Sequence, residues 1–112
     1  MHIRLIRAGG VFEIQDVKGI TLPTLDGQRT LLNKHSDTMI ALGFGVGSFK
    51  LDENNEYFAL SGGIASLERN VFTIIPEKFS LSKKSKLEYD GSDDEDLDSK
   101  FLELMEKLNE ID

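Results

Sequence analysis

The sequence predicts an all-β protein, a two-sheet β-sandwich of about eight to ten short strands, followed by an acidic linker and one C-terminal α-helix. Three observations lead to this fold class. Short apolar runs recur through the first part of the chain, and turn residues separate them at the spacing typical of sandwiches and barrels. The composition then becomes polar and acidic. The last residues carry apolar side chains at three- and four-residue steps, which is a helical period.

The strands follow in order from the apolar runs. In the first run, 2–7, apolar and polar residues nearly alternate, as on a half-buried strand. In the second, Phe12 and Ile14 share one face while Glu13 and Gln15 share the other. The predicted strands are 2–7, 11–17, 20–25, 31–32, 39–42, 44–49, 57–60, 64–67 and 71–75.

Turn residues separate these strands. Asp26-Gly27 is the strongest turn signal, because glycine accepts the positive φ angle that a tight hairpin turn needs. The polar stretch 52–55 predicts a hairpin loop, and Gly9-Gly10 and 68–70 predict two further turns. Residues 61–63, with two consecutive glycines, interrupt a strand and predict a bulge where another backbone comes close.

The chain divides into three predicted parts. Residues 1–79 form the β-sandwich domain, 80–96 a polar and acidic linker, and 97–112 an amphipathic helix that Ser92 or Asp93 can cap. The apolar stripe of the helix consists of Leu97, Phe101, Leu104, Met105, Leu108 and Ile111. A helix this short is marginal alone in water, so its stripe must pack on the sandwich or on another protein.

The negative charge belongs to the C-terminal part of the chain. The net charge is −7, yet residues 1–86 hold 11 Lys and Arg against 9 Asp and Glu, whereas residues 87–112 hold 2 against 11. A nearly neutral body with an acidic tail lacks the basic surface that binds the phosphates of nucleic acid. No apolar run approaches the about 18 residues of a membrane span, so we expect no direct membrane insertion. The absence of cysteine excludes disulfides and thiolate metal sites.

Each stretch of the sequence that resembles a catalytic or metal-binding motif lacks a residue or element that the motif requires. The stretch 59–63 resembles a nucleophile elbow, but that motif needs a strand–turn–helix and a downstream His, and no His follows His35. The glycines of 43–48 lack the Gly-Lys-Ser/Thr ending of a phosphate loop and predict close approach of a neighbouring chain or sheet instead. The segment 90–101 lacks the required glycine and bidentate carboxylate of a calcium loop. We therefore expect no enzyme activity, cofactor or metal site.

Several stretches together resemble a known family. Leu22-Pro23-Thr24-Leu25-Asp26-Gly27, followed by Leu31-Leu32 and the loop residue His35, is similar to the turn and loop of the epsilon subunit of F-type ATP synthases. The strand 57–64, which contains Ser-Gly-Gly, resembles another element of that family. The hairpin 68–74 and the stretch 10–13 follow the same pattern. The resemblance covers about the first 79 residues and implies a two-sheet β-sandwich.

The resemblance also implies a function. Members of the family are non-catalytic rotor subunits of the central stalk, bind the gamma subunit, and transmit torque between the alpha/beta catalytic head and the rotor base. They lie peripherally, on the cytoplasmic side of the cell membrane in bacteria, and touch the membrane c-ring in coupled enzymes. The resemblance places Asp26, Gly27, Gln28, Arg29 and His35 at one end, facing the c-ring, and Ser61, Gly62 and Gly63 towards gamma.

The chain departs from the family at the expected c-ring end. Asn33-Lys34 stands where the family usually has Pro-Gly, and Gln28 stands where an acidic residue is common. The family's ATP-binding Asp-x-x-Arg-Ala motif is absent, since no Arg follows Arg69. Two alternatives therefore stay open beside the ring-coupled rotor subunit. One is a rotor subunit of an F-type-like ATPase without a c-ring, and the other is a free-standing β-sandwich adaptor with an acidic docking tail.

Overall fold

A computed structural model describes residues 1–82 and 99–111 of the chain. The strands are β1 (His2–Arg7), β2 (Gly10–Ile14), β3 (Gly19–Thr24), β4 (Gly27–Leu32), β5 (Thr38–Ala41), β6 (Phe44–Lys50), β7 (Asn55–Glu68) and β8 (Val71–Leu81), and the helix is α1 (Ser99–Ile111). Ser92, Asp93, Leu97, the side chain of Ile111 and the predicted linker after Ser82 lie outside the described residues.

The strands form two packed sheets that share the long strands β7 and β8. The strand order is β2-β1-β8-β7-β6-β3-β4, and β5 also pairs with β7. Residues 55–61 of β7 pair with β6, whereas residues 64–67 of the same strand pair with β5. One layer, the first sheet, is therefore β2-β1-β8-β7-β5, and the other, the second sheet, is β8-β7-β6-β3-β4. The predicted all-β sandwich with one C-terminal helix is confirmed.

The two sheets are joined at a corner in β7, formed by Gly62 and Gly63. Both glycines have positive φ, 66° and 107°. A Cβ on Gly63 would overlap the carbonyl oxygen of Ile75 and lie 2.8 Å from the Cα of Pro76. The predicted close approach of another backbone at these glycines is confirmed, but the expected bulge is wrong, because the pairing register with β8 is the same before and after the corner. The expectation of two separate strands, 57–60 and 64–67, is also wrong. Glycine lets a single strand bend from one sheet into the other without losing its pairing.

A second close approach occurs inside the sandwich at Gly47 of β6. Gly47 pairs with Phe58, and a Cβ at this position would lie 2.5 Å from the ring of Phe58 and would overlap the carbonyl oxygen of Thr21. The close approach here is to two strands of the same sheet, β3 and β7, so the expectation that the glycines of this strand mark a neighbouring chain or sheet is wrong at this position. The missing side chain makes room for an aromatic ring in the core.

The core lies between the two sheets. Phe58 is at its centre on the β7 side, with ring centroids 4.7 Å from Phe49 and 5.2 Å from Phe79. Such offset aromatic contacts add to the free energy gained from burial. The aliphatic side chains that complete the core from both sheets include Ile3, Leu5, Ile20, Leu22, Leu31, Leu60, Leu67 and Ile74.

Helix α1 packs on the outer face of the second sheet. Phe101, Leu104 and Leu108, spaced by three and four residues, form one stripe that is buried with Ala59. Val46, Tyr57 and Met105 pack around this cluster. The stripe predicted from sequence is thus the packed face of α1, and the sandwich itself is the surface it covers.

The edge of the first sheet carries a small charge cluster on β1 and β2. The Nε2 of His2 lies 3.0 Å and the Nε of Arg4 lies 3.4 Å from Oε1 of Glu13. The hydrogen bond with His2 is the largest cause of a lowered pKa of Glu13. Desolvation raises that pKa, whereas the charges of His2 and Arg4 lower it further. The ionised form of Glu13 is therefore favoured in the folded state.

We expect this cluster to give a pH-dependent contribution to stability. A lowered folded-state pKa stabilises the fold above the ordinary Glu value of about 4.3, and this contribution is lost as the pH falls through the folded-state pKa. NMR titration should show the pKa of Glu13 moving back towards its ordinary value in His2→Ala. The Arg4→Ala variant serves as the control and should retain most of the lowering, and equal shifts in the two variants would contradict the assignment of the main cause.

Candidate functional site

The turn between β3 and β4 is rigid and exposed. The hydroxyl of Thr24 accepts a hydrogen bond from the backbone N–H of Asp26 at 3.1 Å and donates one to the carbonyl oxygen of Gly27 at 2.6 Å. Gly27 has a φ of 111°, as a tight turn requires. Leu25, at the tip, is 74% exposed. The turn therefore presents an apolar tip and an acidic side chain on a fixed backbone.

Gln28 and Arg29 continue from this turn along β4, an edge strand of the second sheet. Both side chains are exposed. The Nε2 of Gln28 donates a long hydrogen bond of 3.4 Å to the carbonyl oxygen of Val46. Arg29 pairs with Leu22 through the backbone. The four residues from Asp26 to Arg29 thus form one continuous accessible segment.

His35 lies in the loop between β4 and β5. Its backbone N–H bonds to the carbonyl oxygen of Leu32 at 3.1 Å, and its Nδ1 lies 2.7 Å from the carbonyl oxygen of Ser36. The same loop is tied to the β7–β8 turn, because the N–H of Lys34 donates to Oδ1 of Asn70 at 3.0 Å. The half-buried His35 is therefore held by its own loop.

The turn at Asp26 and the loop at His35 lie at opposite ends of the β3–β4 hairpin. The whole of β4 separates them, and a strand of this length spans about 17 Å. The expectation that both face one end of the domain is wrong. The physical reason is that 27–32 forms one strand, although only its last two residues carry an apolar signal.

The corner glycines lie beside the Asp26 turn. The N–H of Leu42 bonds to the carbonyl oxygen of Gly63 at 3.0 Å, and the N–H of Gly62 bonds to that of Gly43 at 2.9 Å. Gly43 in turn bonds to Pro23 at 3.0 Å, next to the β3–β4 turn. Ser61, half-buried in β7, precedes the corner. The structure thus brings 26–29 and 61–63 to one end of the sandwich and leaves His35 at the other.

The sequence reasoning missed an apolar surface on the outer face of the first sheet. Val11 on β2 pairs with Ile6 on β1, Ile75 on β8 pairs with Ile64 on β7, and Ile64 pairs with Ala41 on β5. Leu5 pairs with Ile74, so the next residues, Ile6 and Ile75, also lie side by side. The five side chains form one row across five strands, called here the apolar row.

Four of the five side chains of the apolar row are exposed, and Ile6 is half-buried. Val11 and Ile64 are 52% accessible and Ile75 is 43% accessible. On the second sheet, by contrast, the outer face is partly covered by α1. A sequence signal for the row exists, because Ile74-Ile75 and Ile64-Ala65 place apolar residues on both faces of a strand where alternation requires only one.

The described residues hold no obvious centre for metal chemistry. Within 1–82 and 99–111, no three His, Asp or Glu side chains come together in a way that could bind a metal ion. In the same part of the chain, no helix has both the length and the apolar character needed to cross a bilayer. The features that stand out are surfaces for contact with other proteins: the apolar row, the exposed turn and the corner.

The comparisons with known proteins agree with one another. The family model described as ATP synthase, Delta/Epsilon chain, beta-sandwich domain, matches residues 1–81. The chain is 32% identical over 84 residues to an ATP synthase epsilon chain of Psilotum nudum chloroplasts, covering 75% of this chain and 63% of that protein. It is 31% identical over 108 residues to the chloroplast epsilon chain of Tupiella akineta, covering 96% of this chain and 78% of that protein. The chain thus spans less than two thirds of the Psilotum relative.

Solved structures share the fold. A chain in a structure of the Euglena gracilis mitochondrial ATP synthase superposes with a TM-score of 0.65 at 22% identity, covering 74% of this chain and 54% of that one. A chain from the central stalk and c-ring of the Tetrahymena thermophila mitochondrial ATP synthase superposes with a TM-score of 0.63 at 16% identity, covering 96% of this chain and 95% of that one. With the family match over residues 1–81, these relatives lead to one conclusion: the chain belongs to the ATP synthase delta/epsilon chain family.

Proposed function

We propose that this chain is a non-catalytic rotor subunit in the central stalk of an F-type ATP synthase or ATPase. It binds the gamma subunit and transmits torque between the catalytic head and the rotor base. Family membership supports this proposal, as do relatives named as ATP synthase epsilon chains and similar chains in ATP synthase structures. The complex lies on the cytoplasmic side of the cell membrane, and the chain is a peripheral part of it.

The apolar row is the observation that carries the gamma-binding proposal. A contiguous exposed apolar surface marks an interaction site in a soluble domain. One outer face of the sandwich is occupied by α1, whereas the row on the other face has no partner from the described residues of the chain. Ser61, Gly62 and Gly63 border this row, because Ile64 follows Gly63 directly. We assign the gamma contact to this face.

The exposed turn supports the second contact. Asp26, Gly27, Gln28 and Arg29 form the accessible end of the β3–β4 hairpin, and we assign this end to the c-ring. His35 lies about one strand length from this end, so it is not part of the same contact. One end and one face thus give the chain separate contacts with the ring and gamma.

The fold suits mechanical transmission. β7 and β8 each belong to both sheets, so a load on one sheet passes to the other through continuous backbone. The rings of Phe49, Phe58 and Phe79 pack against one another between the sheets. A body of this kind transmits force without taking part in ATP chemistry, which we place in the alpha and beta subunits.

Co-purification tests the proposal directly. The full chain, tagged and expressed in its own cell, should recover a gamma subunit together with alpha and beta subunits, as identified by mass spectrometry. Recovery without any gamma-like protein would refute the rotor assignment. Recovery with gamma but without c-subunit would favour the ring-free ATPase, which the substitutions at Gln28 and Asn33-Lys34 motivate.

Salt dependence separates the rotor subunit from an adaptor with an acidic docking tail. The tail, 87–112, holds 11 acidic residues against 2 basic residues. Binding through exposed charges should weaken steeply with salt, because such charges are screened beyond about 10 Å at 0.1 M. Binding through the apolar row should change little between low and moderate salt.

Replacing a central residue of the row should weaken gamma binding. We expect Ile64→Asp to lower the affinity for gamma about 30-fold, because burying an unpaired charge at an interface centre costs at least 2 kcal/mol. Titration of gamma onto the purified chain measures this change. Leu102→Asp on α1, where the native side chain is 47% exposed, is the matched control. If a folded Ile64→Asp protein bound gamma with unchanged affinity, the apolar row would not be part of the gamma interface.

A further inference from the structure

The shape of the apolar row limits what kind of element can cover it. The row crosses five strands, so its length is four inter-strand distances, about 19 Å. A neighbouring row on the same outer face is largely polar and runs parallel to it. That row consists of Glu13, Arg4, Thr73, Ser66 and Met39. On this side the apolar surface is therefore only one residue wide.

A long and narrow apolar surface fits a helix better than a sheet. Stacked sheets need apolar side chains at several successive outward positions along each strand. Here Arg4 and Glu13, joined at 3.4 Å, follow the row on two of the strands. An amphipathic helix presents one apolar stripe, and a stripe of about 19 Å corresponds to about 13 residues of helix.

The other outer face of the sandwich also binds a helix, which there contacts mainly two strands, β7 and β6. Phe101, Leu104 and Leu108 of α1 lie on the second sheet against the outward side chains Val46 and Ala59, which pair across β6 and β7. The outer faces of this sandwich thus accept helices through residues spaced by three and four.

We infer that the apolar row binds one amphipathic helix of the central-stalk partner, laid across the strands from β2 to β5. The inference rests on the proposed function, since it takes gamma as the source of the helix. The helix has apolar residues at steps of three and four, and its polar flank lies over the row that contains Arg4 and Glu13. Adjacent strands are about 4.8 Å apart, so each strand crossed corresponds to about three residues of the helix.

Disulfide mapping in the assembled complex tests this register. The chain has no cysteine, so Val11→Cys, Ile75→Cys, Ile64→Cys and Ala41→Cys each give a single reactive site. Cross-linking mass spectrometry with gamma first identifies the facing segment, and cysteines are then introduced along that segment. We expect the gamma positions that form disulfides with Ile75→Cys and with Ile64→Cys to lie about three residues apart in the gamma sequence. The gamma positions that react with Val11→Cys and with Ala41→Cys should lie about 13 residues apart.

The outcomes distinguish this inference from the proposed function. Gamma positions that fall in separate segments, or that advance by one or two residues per strand as in an extended chain, would overturn the helix while gamma binding stands. Cross-links between two copies of this chain would also overturn it. Failure to recover gamma with any variant or with the wild-type chain would refute the proposed function itself. Leu102→Cys, on the opposite side of the sandwich, is the control and should not react with this segment.

Discussion

Replacing Gly63 with alanine should cost about 4 kcal/mol of folding free energy, because two costs add at this position. The φ of 107° is unfavourable for any residue with a Cβ. The new Cβ would also overlap the carbonyl oxygen of Ile75 and lie 2.8 Å from Cα of Pro76, and backbone cannot move aside as a flexible side chain can. Urea unfolding of the purified chain measures the change, which is a large part of the stability of a small domain.

Gly9→Ala separates these two costs. Gly9 has the same φ of 107°, but nothing lies within 4 Å of the position its Cβ would take. Alanine at this turn should therefore cost only the conformational part, about 1–2 kcal/mol. Equal losses of folding free energy in Gly9→Ala and Gly63→Ala would show that the close approach of β8 at the corner does not add to the cost of alanine there.

Replacing Phe101 with alanine should release α1 from the sandwich. Phe101 is 0% exposed and is the largest side chain of the helix stripe. Removing a buried phenylalanine side chain costs about 3–5 kcal/mol, and a helix of this length has little stability alone. Hydrogen exchange should show loss of protection in α1, while the amides of β7 and β8 within the sandwich stay protected.

The neighbouring residue provides the control for the helix. Leu102 is 47% exposed on the same helix, so Leu102→Ala should change stability by less than about 0.5 kcal/mol. Both variants remove a large apolar side chain, and they differ mainly in burial. A change below half a kcal/mol for Phe101→Ala would mean that α1 is not held on the second sheet.

Much of the fold follows from local patterns. Alternation in 2–7 reproduces β1, and Asp26-Gly27 marks the β3–β4 turn, because glycine accepts the positive φ that the turn needs. The three- and four-residue steps from Phe101 to Leu108 reproduce the buried face of α1. These features depend on neighbours in the chain, and so they can be read without the tertiary structure.

The candidate site was predicted only in part. The family resemblance implied that Asp26 and His35 lie at the same end, but an extended strand between them places them at opposite ends. The exposed segment 27–30 carries little apolar signal because β4 is an edge strand of the second sheet. Its periodicity therefore could not reveal the strand that separates the two residues.

The sequence by itself determined the class of fold, the turn glycines and the apolar stripe of α1, because periodicity and backbone preferences are local properties of the chain. Only the tertiary structure decided that one strand, β7, bends at Gly63 into both sheets, and that α1 covers the second sheet. It also decided that five residues from five strands align as one exposed row. Such an alignment depends on the pairing of distant segments, and alternation within each strand gives no information about its neighbours.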